Sequence, residues 1–221
     1  MKKDLVELVF ILDKSGSMLS LKNDTIGSYN SLLKEQKKEK GECIVSTVLF
    51  NNKTHVLHDR VNIKDVDLLT SEDYSPCGST SLYDSVCETV DRIGKSLSET
   101  PEDERPPKVM VVIITDGQEN SSVEFTAKDT KNRIEHQRDK YNWDFNFIGA
   151  NIDTKLEASK IGIDGLSAMS YTASDIGTKA VYTSLSNSIS SLRSTGEYDK
   201  VTLSTDISDS LNVNETIIKS L

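Results

Sequence analysis

Two stretches of this chain, VELVFILD near its start and KVMVVIITD in its middle, are apolar runs of strand length. That is how a strand covered on both faces reads. Each run stops at an aspartate, Asp13 in the first and Asp116 in the second. Helical periods separate the apolar runs. Ile26, Tyr29 and Leu33 fall on one stripe of a helix over about Leu21 to Lys40, and Leu82, Val86, Val90, Ile93 and Leu97 line one face of another. CIVSTVLFNN is a further strand, and KTHVLHDRV reads as its antiparallel neighbour across the Asn51-Asn52 turn. A polar helix from about Thr126 to Tyr141 follows, then the strand WDFNFIGAN, a short helix around Leu156 to Ile161, a weak strand at SAMSYTA, and a one-sided helix through Val181, Leu185, Ile189 and Leu192. Strands alternating with helices in this way imply parallel crossovers, and so a doubly wound α/β sheet with helices on both faces.

At 221 residues the chain is long enough for one well-buried domain. No linker-like segment divides it, since SETPEDERPP reads as a solvated loop between a helix and a strand. The expected organisation is one domain over residues 1–196. A tail follows at 197–221, where KVTLS and ETIIKSL suggest a last strand and helix. The net charge of −9 disfavours a nucleic-acid or anionic-membrane partner, both of which reward clustered Lys and Arg. Cys43, Cys77 and Cys87 have neither the number nor the spacing of a disulfide framework or a zinc site. The opening MKK and the apolar residues after it lack a leader-like cleavage site and are interrupted by Asp4 and Glu7, so a cytoplasmic protein is expected.

Ligands of open α/β sheets bind at the carboxyl ends of the strands, where strand order reverses. If the two aspartate-terminated strands are neighbours, Asp13 and Asp116 meet there. The pattern Asp-x-Ser-x-Ser adds Ser15 and Ser17 in a tight loop, and PCGSTSLYDS brings the hydroxyl of Thr80 from a third loop. Two carboxylates and three hydroxyls form a hard oxygen set that suits Mg²⁺ above all, with Mn²⁺ or Ca²⁺ as alternatives. Either aspartate alone would be explained as a helix N-cap, but that does not account for the whole set. Asp84 fits equally a supporting acid and a plain helix-dipole partner. Glu119 and Asn120 fit the rim of the site or, more simply, a solvated loop. His55 and His58, three apart on a strand, point to opposite faces and make no metal pair. Trp143 and Phe145 read as core.

DKSGSM, GSTSLYDS and ITDGQENSS, in this order, resemble the von Willebrand factor type A domains, in particular the intracellular bacterial and phage type, and match their metal-ion-dependent adhesion site. The resemblance implies a Rossmann-like, mainly parallel sheet with one antiparallel edge strand. It also implies five metal ligands, Asp13, Ser15, Ser17, Thr80 and Asp116. The function it implies is non-catalytic: a protein partner's Asp or Glu completes the metal shell, and relatives of this type partner AAA+ ATPases or belong to stress-response systems. The competing class is a Mg²⁺-dependent phosphohydrolase or phosphotransferase with Asp13 as nucleophile. Such enzymes place a second aspartate two residues later as acid-base, where this chain has Ser15.

Overall fold

A computed structural model describes residues 1–198. The expected strand and helix of the tail therefore lie outside the described residues, which include only Glu197 and Tyr198 of the tail. In chain order the elements are β1 (Leu5–Asp13), α1 (Lys22–Lys38), β2 (Glu42–Phe50), β3 (Thr54–Asn62), α2 (Leu82–Glu99), β4 (Lys108–Thr115), α3 (Ala127–Tyr141), β5 (Asp144–Ala150), α4 (Thr154–Lys160), β6 (Ala168–Tyr171) and α5 (Asp175–Thr195). The six strands form one sheet in the order β3-β2-β1-β4-β5-β6. All neighbours are parallel except β2 and β3, so the antiparallel strand stands at an edge.

Alternation along the strands divides the core in two. Val6, Leu8, Phe10 and Leu12 of β1 join Met110, Val112 and Ile114 of β4 beneath α1 and α5. Val9 and Ile11 join Val109, Val111 and Ile113 beneath α2, α3 and α4. The sheet is thus apolar on both sides, which is why β1 and β4 read as nearly unbroken apolar runs. Trp143 and Phe145 are buried on the second face and stack at 6.1 Å. Helix ends follow local chemistry. Thr126 and Asp129 cap the start of α3 reciprocally, and Asn142 ends that helix at φ 56°. Short α4 begins at Thr154, before Leu156, because Asp153 accepts the Leu156 N–H there; Leu156 then faces outward while Ala158 is buried.

Strand β1 carries one acid within its apolar run. Glu7 is completely buried, and Arg60 of β3 reaches it across β2 with two hydrogen bonds, from Nε at 2.9 Å and Nη2 at 3.0 Å. Arg60 sits at φ 53°, between His58 and Val61 where the β2–β3 ladder shifts register, and its N–H donates to Ser46 Oγ at 3.0 Å. His55 is exposed and His58 buried against Thr47, so the two face opposite ways. On the first face, Gln36 of α1 donates to the Ser186 carbonyl and the Ser190 hydroxyl of α5, both at 2.9 Å.

Chain order runs outward from β1 to β2 and β3, returns to β4, and continues to β5 and β6. Helix α1 covers one face and α2 the other, so a crevice opens where β1 and β4 lie side by side. Both aspartate-terminated runs end at its mouth.

Candidate metal centre

Three loops meet at the crevice, and main-chain bonds hold them together. In the first, after β1, the Lys14 N–H donates to the Phe50 carbonyl at 2.6 Å and the Gly16 N–H to the Gly78 carbonyl at 2.9 Å, while the Cys77 N–H donates to Lys14 O at 2.9 Å. A Cβ on Gly16 would stand 3.3 Å from Gly78 O, so glycine serves here for close approach of two backbones. Asn51, in the β2–β3 turn, joins the same assembly: its Nδ2 donates to Cys77 O at 2.9 Å and its carbonyl accepts the Ser81 N–H at 2.8 Å. The hydroxyl of buried Tyr74 donates to the carbonyl of Asp13.

Within this frame Asp13 is fully buried. Its Oδ1 accepts the Ser15 N–H at 2.6 Å, and its Oδ2 accepts the Thr115 hydroxyl at 2.6 Å. Ser15 and Ser17 place their hydroxyl oxygens 3.1 Å apart, and Ser17 donates to Asp116 Oδ1 at 2.6 Å. Thr80 is fixed by its main chain: its N–H donates to Asn120 Oδ1 at 2.9 Å, and its carbonyl accepts the N–H groups of Asn120 and Ser121 at 3.0 and 3.2 Å. Gly117 shows where the side chains converge. A Cβ there would lie 3.1 Å from Thr80 Oγ1, 3.6 Å from Ser17 Oγ and 3.8 Å from Asp13 Oδ2, so oxygens from two loops face one point beside the third. The structure thus brings Asp13, Ser15, Ser17, Thr80 and Asp116 together.

Electrostatics set this cluster apart. Burial pushes the Asp13 carboxyl up to about 6, and the neighbouring Asp116 adds to the rise, against the lowering effect of the Thr115 and Ser15 hydrogen bonds. Asp116 is raised as well, mainly by burial, with Ser17 opposing. Neither acid has an ion pair with Lys, Arg or His among the described residues. Among those residues, no group of three or more His, Cys, Asp or Glu gathers to hold a metal. A cation here would draw on hydroxyls as much as carboxylates, and hard divalent ions accept such donors. The convergent oxygens and two uncompensated acids fit a divalent cation.

Two further acids organise the third loop, and the sequence undervalued one of them. Glu119 is not a solvated loop residue. Its Oε1 accepts the N–H groups of Ser121 and Ser122 at 2.8 and 2.7 Å, and its Oε2 accepts the Tyr83 N–H at 3.0 Å and the Ser122 hydroxyl at 2.7 Å. Asp84 accepts the N–H groups of Val123, Glu124 and Phe125 at 2.8, 3.1 and 2.8 Å. It therefore anchors the loop and is spent on amides rather than aimed at the centre. Together these acids tie the loop after β4 to the first turn of α2, where unpaired N–H groups favour anionic partners. The only trace in the sequence is the run of small polar residues after Glu119, which offers amides and hydroxyls to one carboxylate. Cys77 is exposed near the cluster, whereas Cys43 and Cys87 are buried, and none of the three is in a disulfide.

No family model matches the chain, and no curated protein matches it. Solved structures do. The von Willebrand factor domain of the type V pili tip protein Mfa5 from Porphyromonas gingivalis superposes with a TM-score of 0.62 at 11% identity, covering 88% of this chain and 98% of that one. The manganese-loaded TRAP protein of Plasmodium vivax gives 0.54 at 17% identity over 78% of this chain and 70% of that one. The ArnB paralog VWA2 from Sulfolobus acidocaldarius gives 0.53 at 19% identity and 83% of this chain. The match spans only 44% of VWA2, and 47% of the proximal thread matrix protein 1 of the mussel byssus, which aligns at 0.57 and 14% identity over 84% of this chain. At these identities the likeness is one of fold, and a six-stranded, mostly parallel sheet with one antiparallel edge strand and helices on both sides gives this chain the fold of von Willebrand factor type A domains.

Proposed function

We propose that this chain is a non-catalytic, Mg²⁺-dependent protein-interaction module whose metal is held at a complete adhesion-type site. The observation that carries the reading is the gathering of five oxygen donors: Asp13, Ser17 and Thr80 face one point, Ser15 and Asp116 adjoin Ser17, and the two acids have no cationic partner among the described residues. Asp13, Ser15, Ser17, Thr80 and Asp116 would hold the ion, and Mn²⁺ or Ca²⁺ could replace Mg²⁺ there. When bound, the cation supplies an electrophilic position open to a carboxylate from another protein. The chain's own groups prepare that position. Ser15, Ser17 and Thr80 are neutral, so the donor set leaves most of the ion's charge for an incoming acid. Thr115 and the Ser15 amide orient Asp13, while Glu119 and Asp84 keep the third loop from shifting. A manganese-loaded neighbour of the same fold supports a divalent metal.

The partner in this reading is a protein that presents Asp or Glu, such as an AAA+ ATPase or a stress-response component, in a cytoplasmic setting. No helix among the described residues is long and apolar enough to cross a membrane. The phosphohydrolase alternative gains nothing from the geometry, because Asp13 Oδ1 and Oδ2 both accept hydrogen bonds from groups that do not titrate near neutral pH. Calorimetric titration with Mg²⁺ and Mn²⁺, followed by capture of partners with and without EDTA, tests the proposal. Saturable binding lost in Asp13→Ala is the expected result. Absence of binding in the parent protein, or Mg²⁺-dependent phosphatase turnover abolished by Asp13→Asn, would overturn it.

A further inference from the structure

A groove opens at the end of the sheet opposite the candidate metal centre. It lies where α2 and α3 finish and β4 and β5 begin, so the length of β4 separates it from Asp116. Its cavity of about 490 Å³ is within the usual range for a small organic ligand. Leu97, Pro106, Val109 and Trp143 line it and are buried, whereas Tyr141, which also lines it, is 58% exposed. The groove thus offers apolar surface that begins in the core and reaches solvent.

Its charge is opposite to that of the chain. The sequence carries 35 Asp and Glu against 26 Lys and Arg, yet none of the described residues lining the groove is acidic. Arg105 and Lys140 line it together with His136, and neither cation has a carboxylate partner among the described residues. The Arg105 guanidinium is held in place. Its Nε donates to Thr100 O at 2.7 Å and its Nη2 to Ser98 O at 3.1 Å, which leaves Nη1 without a partner among those residues. These bonds close carbonyls at the end of α2, and Lys140 suits the end of α3. Helix ends alone do not call for apolar walls beside both cations.

We infer that this groove binds a small organic acid, with its apolar body against Leu97, Val109 and Trp143 and its carboxylate on Arg105 and Lys140. Burial of the body supplies the affinity, and the two cations select an anion over a neutral molecule of the same shape. The guanidinium is already fixed by two carbonyls, so little of its freedom is lost when a carboxylate arrives. The site needs no metal and stands apart from the metal-bridged reading of the other end of the sheet.

Trp143 is the only tryptophan in the sequence, so its emission reports on the groove directly. The probes are octanoate and octan-1-ol, titrated into the full chain by calorimetry and by tryptophan fluorescence. EDTA is present throughout, so that no metal can draw the carboxylate to the other site. Octanoate should bind saturably, change the emission, and bind about tenfold more tightly than octan-1-ol. Lys140→Glu and Arg105→Gln should each weaken octanoate about tenfold and leave octan-1-ol unchanged. Lys140 is exposed, so its variant should keep the fold even if Arg105→Gln, which opens the end of α2, does not; circular dichroism checks both. Absence of saturable octanoate binding, equal affinity for the alcohol, binding that leaves the emission unchanged, or an octanoate affinity that survives Lys140→Glu overturns the inference. Each of these results leaves the metal centre untouched.

Discussion

Strand β1 carries two fully buried carboxylates, Glu7 towards its start and Asp13 at its end, and the fold treats them in opposite ways. Glu7 meets a guanidinium that bonds both of its oxygens. Asp13 meets an amide, a hydroxyl and a second acid, and no cationic side chain among the described residues. Burial raises the proton affinity of both acids. In Glu7 the protein supplies the countercharge itself, whereas at Asp13 it holds the geometry rigid and leaves the charge open. The difference separates an acid whose charge the architecture itself meets from one whose charge it leaves open, as the proposed metal site requires.

The largest effect should come from breaking the satisfied pair. Arg60→Ala leaves the Glu7 carboxylate alone in the sheet and should lower the unfolding free energy in urea by about 3–5 kcal/mol, with Mg²⁺ affinity unchanged. If stability barely moves, the contrast between the two acids is wrong. Next is pH. The folded-state pKa of Asp13, about 6, lies above its ordinary value of 3.8, so folding favours the protonated acid. Its contribution to metal-free stability is therefore fully present below pH 4 and is lost as pH rises through 6, by about 3 kcal/mol at most. Urea midpoints across that range should show the loss without metal. With Mg²⁺ the trend should reverse, since the ion needs the ionised carboxylate and protons compete with it below pH 6.

Metal addition gives the third effect. Mg²⁺ at a hundred times its dissociation constant should stabilise the parent protein by about 2.7 kcal/mol, and Asp13→Asn should abolish the gain, as read by thermal unfolding with and without EDTA. The smallest effect belongs to the supporting acid. Glu119→Ala frees the third loop from α2 and should weaken Mg²⁺ binding about tenfold, or about 1.4 kcal/mol, while all five donors remain. An unchanged affinity would mean that the loop holds its shape without Glu119.

These contrasts mark what the amino-acid sequence can and cannot say. Apolar period and turn chemistry are local, so β1, β4, the β2–β3 hairpin and the one-sided helices α2 and α5 are legible from the residues alone. The five candidate ligands are legible because each follows a recognisable apolar run or opens a helix. The role of Glu7 is hidden. An acid inside an apolar run reads as an interruption, and its partner lies on another strand in a left-handed conformation that nothing local announces. Glu119 misleads for a similar reason: its carboxylate turns back onto amides of its own loop and of α2, and a loop acid with folded-back bonds looks the same in sequence as one facing water. In α4 the cap at Asp153 outweighs the apolar cue of Leu156, which faces out.

The span of the bonds that close the centre has a consequence for how the protein is made. Thr115 meets Asp13, and Ser17 meets Asp116, across about a hundred residues of chain. Such contacts form late, because the entropy of closing long loops is lost before they return any stabilisation. A growing chain would have no centre until β4 had emerged and paired with β1. In the proposed function, ion capture would then act as a checkpoint on that pairing, so that only a molecule with β1 and β4 joined could engage an acidic partner.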